Sequence, residues 1–255
     1  MQNLKLIITD LDRTLLNSDK KISDYSKKVL TECRSRGLKL AFATARPKRT
    51  IYPFLGNLEI DALIEHNGAG VYIGEKLISC YVIPPDTKDQ VVLDLQKIFP
   101  SSKISVEIGD INYANFDLPK EWHPYIKTDF TNLPPKSANK ILLGISNSDD
   151  IKKLSAYIPA GLYFEISENI LAMIMNKNAK KWTAVKAAAN YFNIKTTEIV
   201  AFGDDYNDIE MLKQSGAGVA VLNAIPEAKA AADFITDTND NNGVASWLEA
   251  NVLSL

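Results

Sequence analysis

The sequence has few cysteines and no long apolar run, and these absences exclude several classes of protein. Cys33 and Cys80 are the only cysteines among 255 residues, which is too few for a disulfide framework or a zinc cluster. No apolar stretch approaches the roughly 18 residues of a membrane-spanning helix. The first residues also lack the basic and apolar segments of a signal peptide. We therefore expect a cytoplasmic protein with reduced thiols and no membrane partner.

The sequence also lacks an excess of charge of either sign. Its 29 lysines and arginines nearly balance its 31 aspartates and glutamates, and the net charge is −2. Such a chain has no global field that would attract nucleic acid. The lysines form no dense basic stripe interleaved with aromatic residues. We expect no nucleic-acid partner, and the sequence leaves a monomer and a small homo-oligomer both open.

Buried strands alternate with helices in the first and last thirds of the chain. Apolar runs such as Leu38–Thr44 and Ile199–Phe202 are typical of strands buried on both faces. Helical patterns follow, for example over Asp24–Arg36, where Ser23 precedes as an N-cap and Gly37 ends the helix. Repeated units of this kind predict an α/β fold with a doubly wound, mostly parallel sheet.

The middle of the chain has a different pattern, with two helices among short alternating runs. Pro84-Pro85 marks its start. We predict an inserted α+β domain over residues 83–177, which lies near the lower end of the size range of domains. Residues 1–82 and 178–255 would then form the core domain together.

Two aspartates follow the first predicted strand. Asp10 directly follows the run Leu6-Ile7-Ile8-Thr9, and Asp12 lies two residues further on. Residues two apart in an extended segment point the same way, so both carboxylates would converge on one small volume. Their repulsion is costly unless a cation lies between them or one is protonated. The pair predicts a metal site, an acid/base pair, or both.

Four more candidates lie where other predicted strands end or helices begin: Thr44, Lys181, Asp204 and Asp208. Taken singly, the hydroxyl or a carboxylate could be a helix cap, and the lysine could be solvated. Taken together, strands of one sheet would deliver carboxylates, a hydroxyl and an ammonium to the same edge. That is the set that phosphoryl transfer needs, because a hard cation and cationic donors neutralise the transferred group.

In order and spacing, these motifs resemble the haloacid dehalogenase superfamily. The resemblance is carried by Asp10-x-Asp12-x-Thr14, Thr44, Lys181 and Gly203-Asp204-x-x-Asn207-Asp208. The place of the insertion, between Thr44 and Lys181, is similar to that of the type-IIB cap in the Cof-type sugar-phosphatase branch. The resemblance implies a Rossmann-like core, an inserted substrate-specificity cap and a Mg²⁺-dependent phosphatase acting on small phosphorylated metabolites such as sugar phosphates.

The resemblance also implies catalytic roles. Asp10 would attack phosphorus to give an aspartyl-phosphate. Asp12 would protonate the leaving alcohol and then activate water, which requires the site to raise its pKa. Lys181 would neutralise Asp10 and the phosphoryl group, and Thr44 would hydrogen-bond a phosphoryl oxygen. Thr14 would orient Asp12 within a phosphate-binding set.

The remaining implied roles concern the metal and the substrate. Mg²⁺ would be held by the carboxylates of Asp10 and Asp204 and by the main-chain carbonyl of Asp12. Asp208 would hold the ion through water. Arg46 and Asn207 complete the phosphate-binding set. Asn207 would support either Lys181 or the substrate.

Two residues depart from the pattern of the superfamily. Arg13 stands where a glycine is usual, and Trp182 follows Lys181 where a glycine is usual. If the turn requires a positive φ, an arginine there is strained. Lys180 could also take the place of Lys181, although the spacing to Thr183 favours Lys181. Two other functions stay open: a phosphotransferase or mutase of the phosphomannomutase type, and a catalytically silent binding module.

Overall fold

The described chain divides into three parts, each built of strands and helices. The computed structural model describes residues 3–167 and 170–254. The first part contains β1 (Leu6–Thr9), α1 (Asp24–Ser35), β2 (Lys39–Ala43), α2 (Tyr52–Leu55), β3 (Ala62–Glu65), β4 (Gly70–Ile73) and β5 (Lys76–Cys80). The middle contains α3 (Pro85–Ile98), β6 (Ile104–Ile108), β7 (Ile111–Ala114), β8 (Tyr125–Lys127), β9 (Lys140–Gly144), α4 (Ser148–Tyr157), β10 (Leu162–Ser167) and β11 (Leu171–Asn176). The last part contains α5 (Lys181–Tyr191), β12 (Ile199–Gly203), α6 (Ile209–Gln214), β13 (Ala217–Ala220), α7 (Pro226–Ala231), β14 (Phe234–Ile235) and α8 (Gly243–Leu248). Across the described ranges, no helix combines the length and the apolar character needed to cross a bilayer.

The first and last parts form one unit built on an eight-stranded sheet. Its strand order is β14-β13-β12-β1-β2-β3-β4-β5. Neighbours are parallel from β14 to β3, whereas β4 and β5 continue the sheet in antiparallel pairing. The predicted α/β class with a mostly parallel sheet is confirmed. β1 lies between β12 and β2, so its carboxyl end is the point at which the strand order reverses and ligand sites form.

The central strand is apolar at successive residues because both of its faces are covered. Ile7 packs into a cluster with Leu30 of α1 and Leu248 of α8. Leu6 and Ile8 point to the other face and pack into a second cluster, which includes residues of α5. A strand covered by helices on both faces loses the polar alternation of a half-exposed strand. This burial fixes the register of β1 and thereby the position of the residue that follows it.

The middle part, from Tyr81 to Ala179, forms a second unit. Its six-stranded sheet has the order β10-β11-β9-β6-β7-β8 and is antiparallel except for the β7–β8 pair. Residues of α3 and α4 pack with one face of this sheet in a separate apolar cluster. The division between the units falls after Cys80 and after Ala179, two residues outside the predicted boundaries at each end.

Candidate active site

Asp10 lies directly after β1, at the centre of the core sheet. Its main-chain N–H donates to the carbonyl of Phe202 in β12 at 3.0 Å, which continues the parallel ladder by one residue. The side chain is buried, with 6% of the residue exposed. The chain then leaves the sheet through an irregular turn in which Asp12 is extended and Arg13 has φ 59°. The strand and the turn together fix where this carboxylate lies.

The Lys181 ammonium bridges two buried carboxylates. Its Nζ lies 2.8 Å from Oδ1 of Asp10 and 2.7 Å from Oδ1 of Asp208. Lys181 is the first residue of α5 and is almost fully buried. Burial alone would lower its pKa, but the charges of the two carboxylates outweigh burial and raise it. The sequence left open whether Lys180 or Lys181 takes this role, and in the structure it is Lys181 whose ammonium contacts both carboxylates.

Two further carboxylates follow β12, the strand beside β1. Oδ2 of Asp208 accepts from the main-chain N–H groups of Asp204 and Asp205 at 2.9 and 3.2 Å. Gly203 is required here, since a Cβ at that residue would lie 2.5 Å from the Asp208 side chain. Oδ1 of Asp204 accepts from the hydroxyl of Thr14 at 2.8 Å. We predicted that Thr14 orients Asp12, and in this structure its hydroxyl donates to Asp204 instead.

Asp10, Asp204 and Asp208 form a group suited to a hard cation. One carboxylate oxygen from each lies within 4.8 Å of the others, and all three residues are buried. Burial, followed by the charges of neighbouring carboxylates, raises the pKa of Asp10 well above its usual value and that of Asp204 to about 7. Lys181 supplies one buried positive charge against three carboxylates, so negative charge remains uncompensated. The three oxygen donors fit Mg²⁺ in kind.

The Asp12 carboxylate is not part of this group and accepts hydrogen bonds from two cationic residues. Arg46 donates to both of its oxygens, at 2.6 and 2.7 Å. Lys20 donates to Oδ1 at 2.9 Å. Burial would raise the pKa of Asp12, but the hydrogen bonds and charge of Arg46, followed by those of Lys20, hold it below its usual value. The expectation of a raised pKa at Asp12 is therefore wrong for this arrangement of the side chains.

Thr44 and Arg46 lie at the end of β2. Thr44 is buried, and its hydroxyl oxygen accepts from the main-chain N–H of Arg46 at 3.2 Å. The guanidinium carbon of Arg46 lies over the ring of Phe54, 4.9 Å from its centroid, and the guanidinium is paired with Asp12. Arg46 was predicted to bind the phosphoryl group, and in this structure it instead holds the proposed acid/base carboxylate. Thr44 occupies the strand end at which it was predicted.

Asn207 is held by a second asparagine. Its Nδ2 donates to Oδ1 of Asn67 at 3.1 Å. Its own Oδ1 is buried and has no hydrogen-bond partner among the described residues. Asn67 has φ 57°, a conformation that asparagine tolerates better than most residues. Our site prediction omitted Asn67 and Lys20; the Asn67-Gly68 pair was a visible turn signal, whereas nothing set Lys20 apart from the other lysines.

The two residues that depart from the superfamily pattern differ in their surroundings. Arg13 does have a positive φ, and its Nε lies 3.5 Å from Oδ2 of Asp204. Trp182 is 5% exposed and belongs to the apolar cluster beneath the core sheet. Trp182 therefore packs within the core domain, while Arg13 lies beside the carboxylates.

Comparisons with known proteins now define the class. A sequence model of the haloacid dehalogenase-like hydrolases matches residues 7–248, and the chain belongs to this family. It is 27% identical to a putative phosphatase of Haemophilus influenzae, covering 96% of this chain and 97% of the relative. A haloacid dehalogenase-like hydrolase from Bacteroides thetaiotaomicron is 26% identical over 97% of this chain and 99% of its own, with a TM-score of 0.86. A sugar phosphatase of HAD subclass IIB has the same fold, with a TM-score of 0.82, 24% identity, and coverage of 96% of this chain and 98% of its own. The predicted superfamily and the prediction of a hydrolytic enzyme are confirmed.

Proposed function

We propose that this protein is a Mg²⁺-dependent phosphatase that hydrolyses small phosphorylated metabolites, with sugar phosphates as the first candidate class. The observation that carries the proposal is the Lys181 ammonium between Asp10 and Asp208, at the carboxyl end of the central strand. Relatives named as phosphatases, one of them a sugar phosphatase, support it. The proposal includes a cytoplasmic location and no nucleic-acid or membrane partner.

In the first chemical step, a carboxylate oxygen of Asp10 attacks phosphorus. A P–O bond to Asp10 forms while the bond to the leaving alcohol breaks. The leaving oxygen takes a proton from Asp12 in its acid form. Because Arg46 and Lys20 favour the ionised form of Asp12, substrate binding has to loosen one of these contacts before Asp12 can carry that proton.

In the second step, water attacks the phosphorus of the aspartyl-phosphate. Asp12, now ionised, takes the proton of the attacking water, and the P–O bond to Asp10 breaks to release inorganic phosphate. The contacts with Arg46 and Lys20 suit this base role, because they stabilise the ionised carboxylate and fix its direction. Asp10 is regenerated as a carboxylate.

Charge compensation by the site lowers the barrier in both steps. Asp10, Asp204 and the main-chain carbonyl of Asp12 would hold Mg²⁺, with Asp208 acting through water. Bound there, the ion supplies positive charge to the phosphoryl oxygens. Lys181 supports the ionised form of Asp10, which burial otherwise disfavours. Such preorganised charge is the main source of catalysis for a reaction that is very slow in water.

The test is phosphate release from a panel of phosphorylated sugars, nucleotides and cofactors. We expect Mg²⁺-dependent turnover that EDTA abolishes. Asp10→Asn should lower the rate by about a thousandfold or more, and acid quenching of a wild-type turnover should trap phosphate on Asp10. The control is Asp149→Asn, which neutralises an exposed carboxylate of α4 that pairs with Lys152 and should keep its rate within a few fold.

The same assay separates the competing functions. A phosphotransferase or mutase would isomerise a hexose phosphate or transfer its phosphoryl group without net release of phosphate. A silent binding module would turn over no member of the panel. Turnover that survives Asp10→Asn would contradict the nucleophile, and turnover that is indifferent to EDTA would contradict the metal.

A further inference from the structure

Arg13 places a cation at the edge of the carboxylate group. Its Nε lies 3.5 Å from Oδ2 of Asp204, and 60% of its side chain is exposed. Oδ1 of the same carboxylate accepts from the hydroxyl of Thr14. The guanidinium is therefore beside the oxygen of Asp204 that lies away from the threonine.

Contacts with Asn223 hold Arg13 in this place. The Nδ2 of Asn223 donates to the main-chain carbonyl of Arg13 at 2.8 Å, and Nη2 of Arg13 donates to the carbonyl of Asn223 at 3.2 Å. Asn223 is itself fixed, because its Oδ1 accepts from the N–H of Asn239 at 3.0 Å. The arginine is thus restrained at both its main chain and its side chain.

The charge of Arg13 opposes a second cation at the same carboxylate. A divalent ion held by Asp204 brings like charges together within a few ångströms, and like charges at such distances repel even in water. Solvent and salt weaken the repulsion, because most of the arginine side chain is exposed. The effect should therefore be several-fold in affinity and not many orders of magnitude.

We infer that Arg13 is a built-in competitor of the metal, which lowers the affinity of the Asp10, Asp204 and Asp208 group for Mg²⁺; this rests on the Mg²⁺ site of the proposed function. In protein from which Mg²⁺ has been removed by chelation, the guanidinium of Arg13 compensates part of the negative charge of Asp204. Arg13 lies in the turn Leu11–Leu15, which also carries Asp12. One loop therefore carries both the proposed acid/base residue and this electrostatic control of metal binding.

The test measures Mg²⁺ binding directly, without turnover. Protein freed of metal by chelation is titrated with Mg²⁺ by calorimetry, and the Mg²⁺ dependence of its melting temperature is followed in parallel. Arg13→Gln should lower the dissociation constant about three- to tenfold. Arg13→Lys keeps the charge and should stay within about twofold of the wild type. Arg36→Gln is the control, since it removes an exposed cation that pairs with Glu32 at the end of α1.

Salt gives a second arm to this test. Raising the ionic strength from ~0.05 to ~0.5 M should narrow the difference between the wild type and Arg13→Gln, because screening removes the repulsion. Equal or weaker Mg²⁺ binding by Arg13→Gln would overturn the inference alone, as would Arg13→Lys behaving like Arg13→Gln. Absence of Mg²⁺ binding by the wild type and all variants would overturn the metal site of the proposed function and this inference with it.

Discussion

Arg46 holds Asp12 through two hydrogen bonds, from Nε at 2.6 Å and from Nη2 at 2.7 Å. The planar guanidinium matches the two oxygens of the carboxylate, which makes this geometry stronger and more directional than a single contact. The ring of Phe54, whose centroid lies 4.9 Å from the guanidinium carbon, also contacts Arg46 and restrains it. The pair therefore sets both the direction and the charge of the proposed acid/base residue.

Arg46→Gln should raise the pKa of Asp12. The arginine is the main influence that lowers this pKa against the opposing effect of burial, so its loss leaves burial to act. As pH falls, the Asp12 carboxylate of the variant would then become protonated at a higher pH than that of the wild type. The pKa can be read from the ¹³C shift of the Asp12 carboxyl in metal-free protein labelled at aspartate.

Lys20→Gln is the graded companion of this variant. It removes one hydrogen bond from a side chain that is 53% exposed, so the pKa of Asp12 should rise by less than in Arg46→Gln. An unchanged or lowered pKa in Arg46→Gln would contradict the role given to Arg46.

Lys181→Met should destabilise the metal-free core domain by about 3 kcal/mol at pH 8. The change keeps the length of the side chain but leaves Asp10 and Asp208 as buried carboxylates without their ammonium, and breaking a buried ion pair is costly. The free energy of unfolding is measured by urea denaturation in the presence of EDTA. Lys186→Met is the control on the same helix, at an exposed residue, and should cost no more than about 1 kcal/mol.

The pH dependence of Lys181→Met follows from the pKa of Asp10, which burial raises and the Lys181 ammonium lowers, so that loss of the ammonium should raise this pKa above that of the wild type. A carboxyl group whose pKa is higher in the folded state than in the unfolded state binds protons more readily when folded, so stability rises as pH falls. The deficit of the variant should therefore be smaller at pH 5 than at pH 8. A deficit that grows toward pH 5 would show that these carboxylates do not carry the effect.

The central part of the site could be predicted because short local rules determine it. An apolar strand that is buried on both faces ends at Asp10, and parallel strands bring their carboxyl ends to one edge of the sheet. The same rule places Thr44 after β2 and Asp204 after β12. The positions of these side chains follow from the strand pattern alone, before any loop conformation is known.

The partners of Asp12 could not be predicted in this way. Arg46 is 34 residues away along the chain and Lys20 is eight, and both approach through loops. Which loop residues meet depends on tertiary packing rather than on periodicity. In the same way, β5 was not identified because four of its five residues are polar or exposed at the sheet edge, which weakens the strand pattern.

Asp61→Asn should destabilise the core domain by about 1–2 kcal/mol at pH 7. The Asp61 carboxylate accepts from the N–H of Leu40 at 3.0 Å, from Arg34 at 3.1 Å and from Lys39 at 2.9 Å. Burial would raise the pKa of Asp61, but these hydrogen bonds and charges lower it. Urea denaturation as a function of pH measures the difference from the wild type.

The sign of the pH effect at Asp61 is fixed by the lowered pKa. The stabilisation is fully present above the unfolded pKa of about 3.9 and is lost as pH falls through the lower folded pKa. The gap between wild type and Asp61→Asn should therefore close below about pH 4. Glu59→Gln is the control, because the Glu59 side chain is 80% exposed and pairs with the same arginine; it should change stability by less than about 1 kcal/mol.

Lys88→Met should destabilise the second unit, where Lys88 is fully buried in α3. Its ammonium donates to the carbonyl of Pro134 at 2.6 Å and to that of Lys136 at 3.2 Å, and it lies 3.1 Å from Asp89. Methionine fills the same space but leaves both carbonyls without this donor, at a cost of about 2–3 kcal/mol.

The measurement for Lys88→Met combines urea denaturation with the rate of proteolysis between residues 130 and 140, because the ammonium ties this segment to α3. The variant should be cleaved there faster than the wild type. Lys97→Met, at a residue of α3 whose side chain is 73% exposed and pairs with Asp94, should leave both stability and cleavage nearly unchanged. Equal cleavage of the two variants would mean that the segment is held by its apolar contacts, such as those of Phe130 and Leu133, and not by the buried lysine.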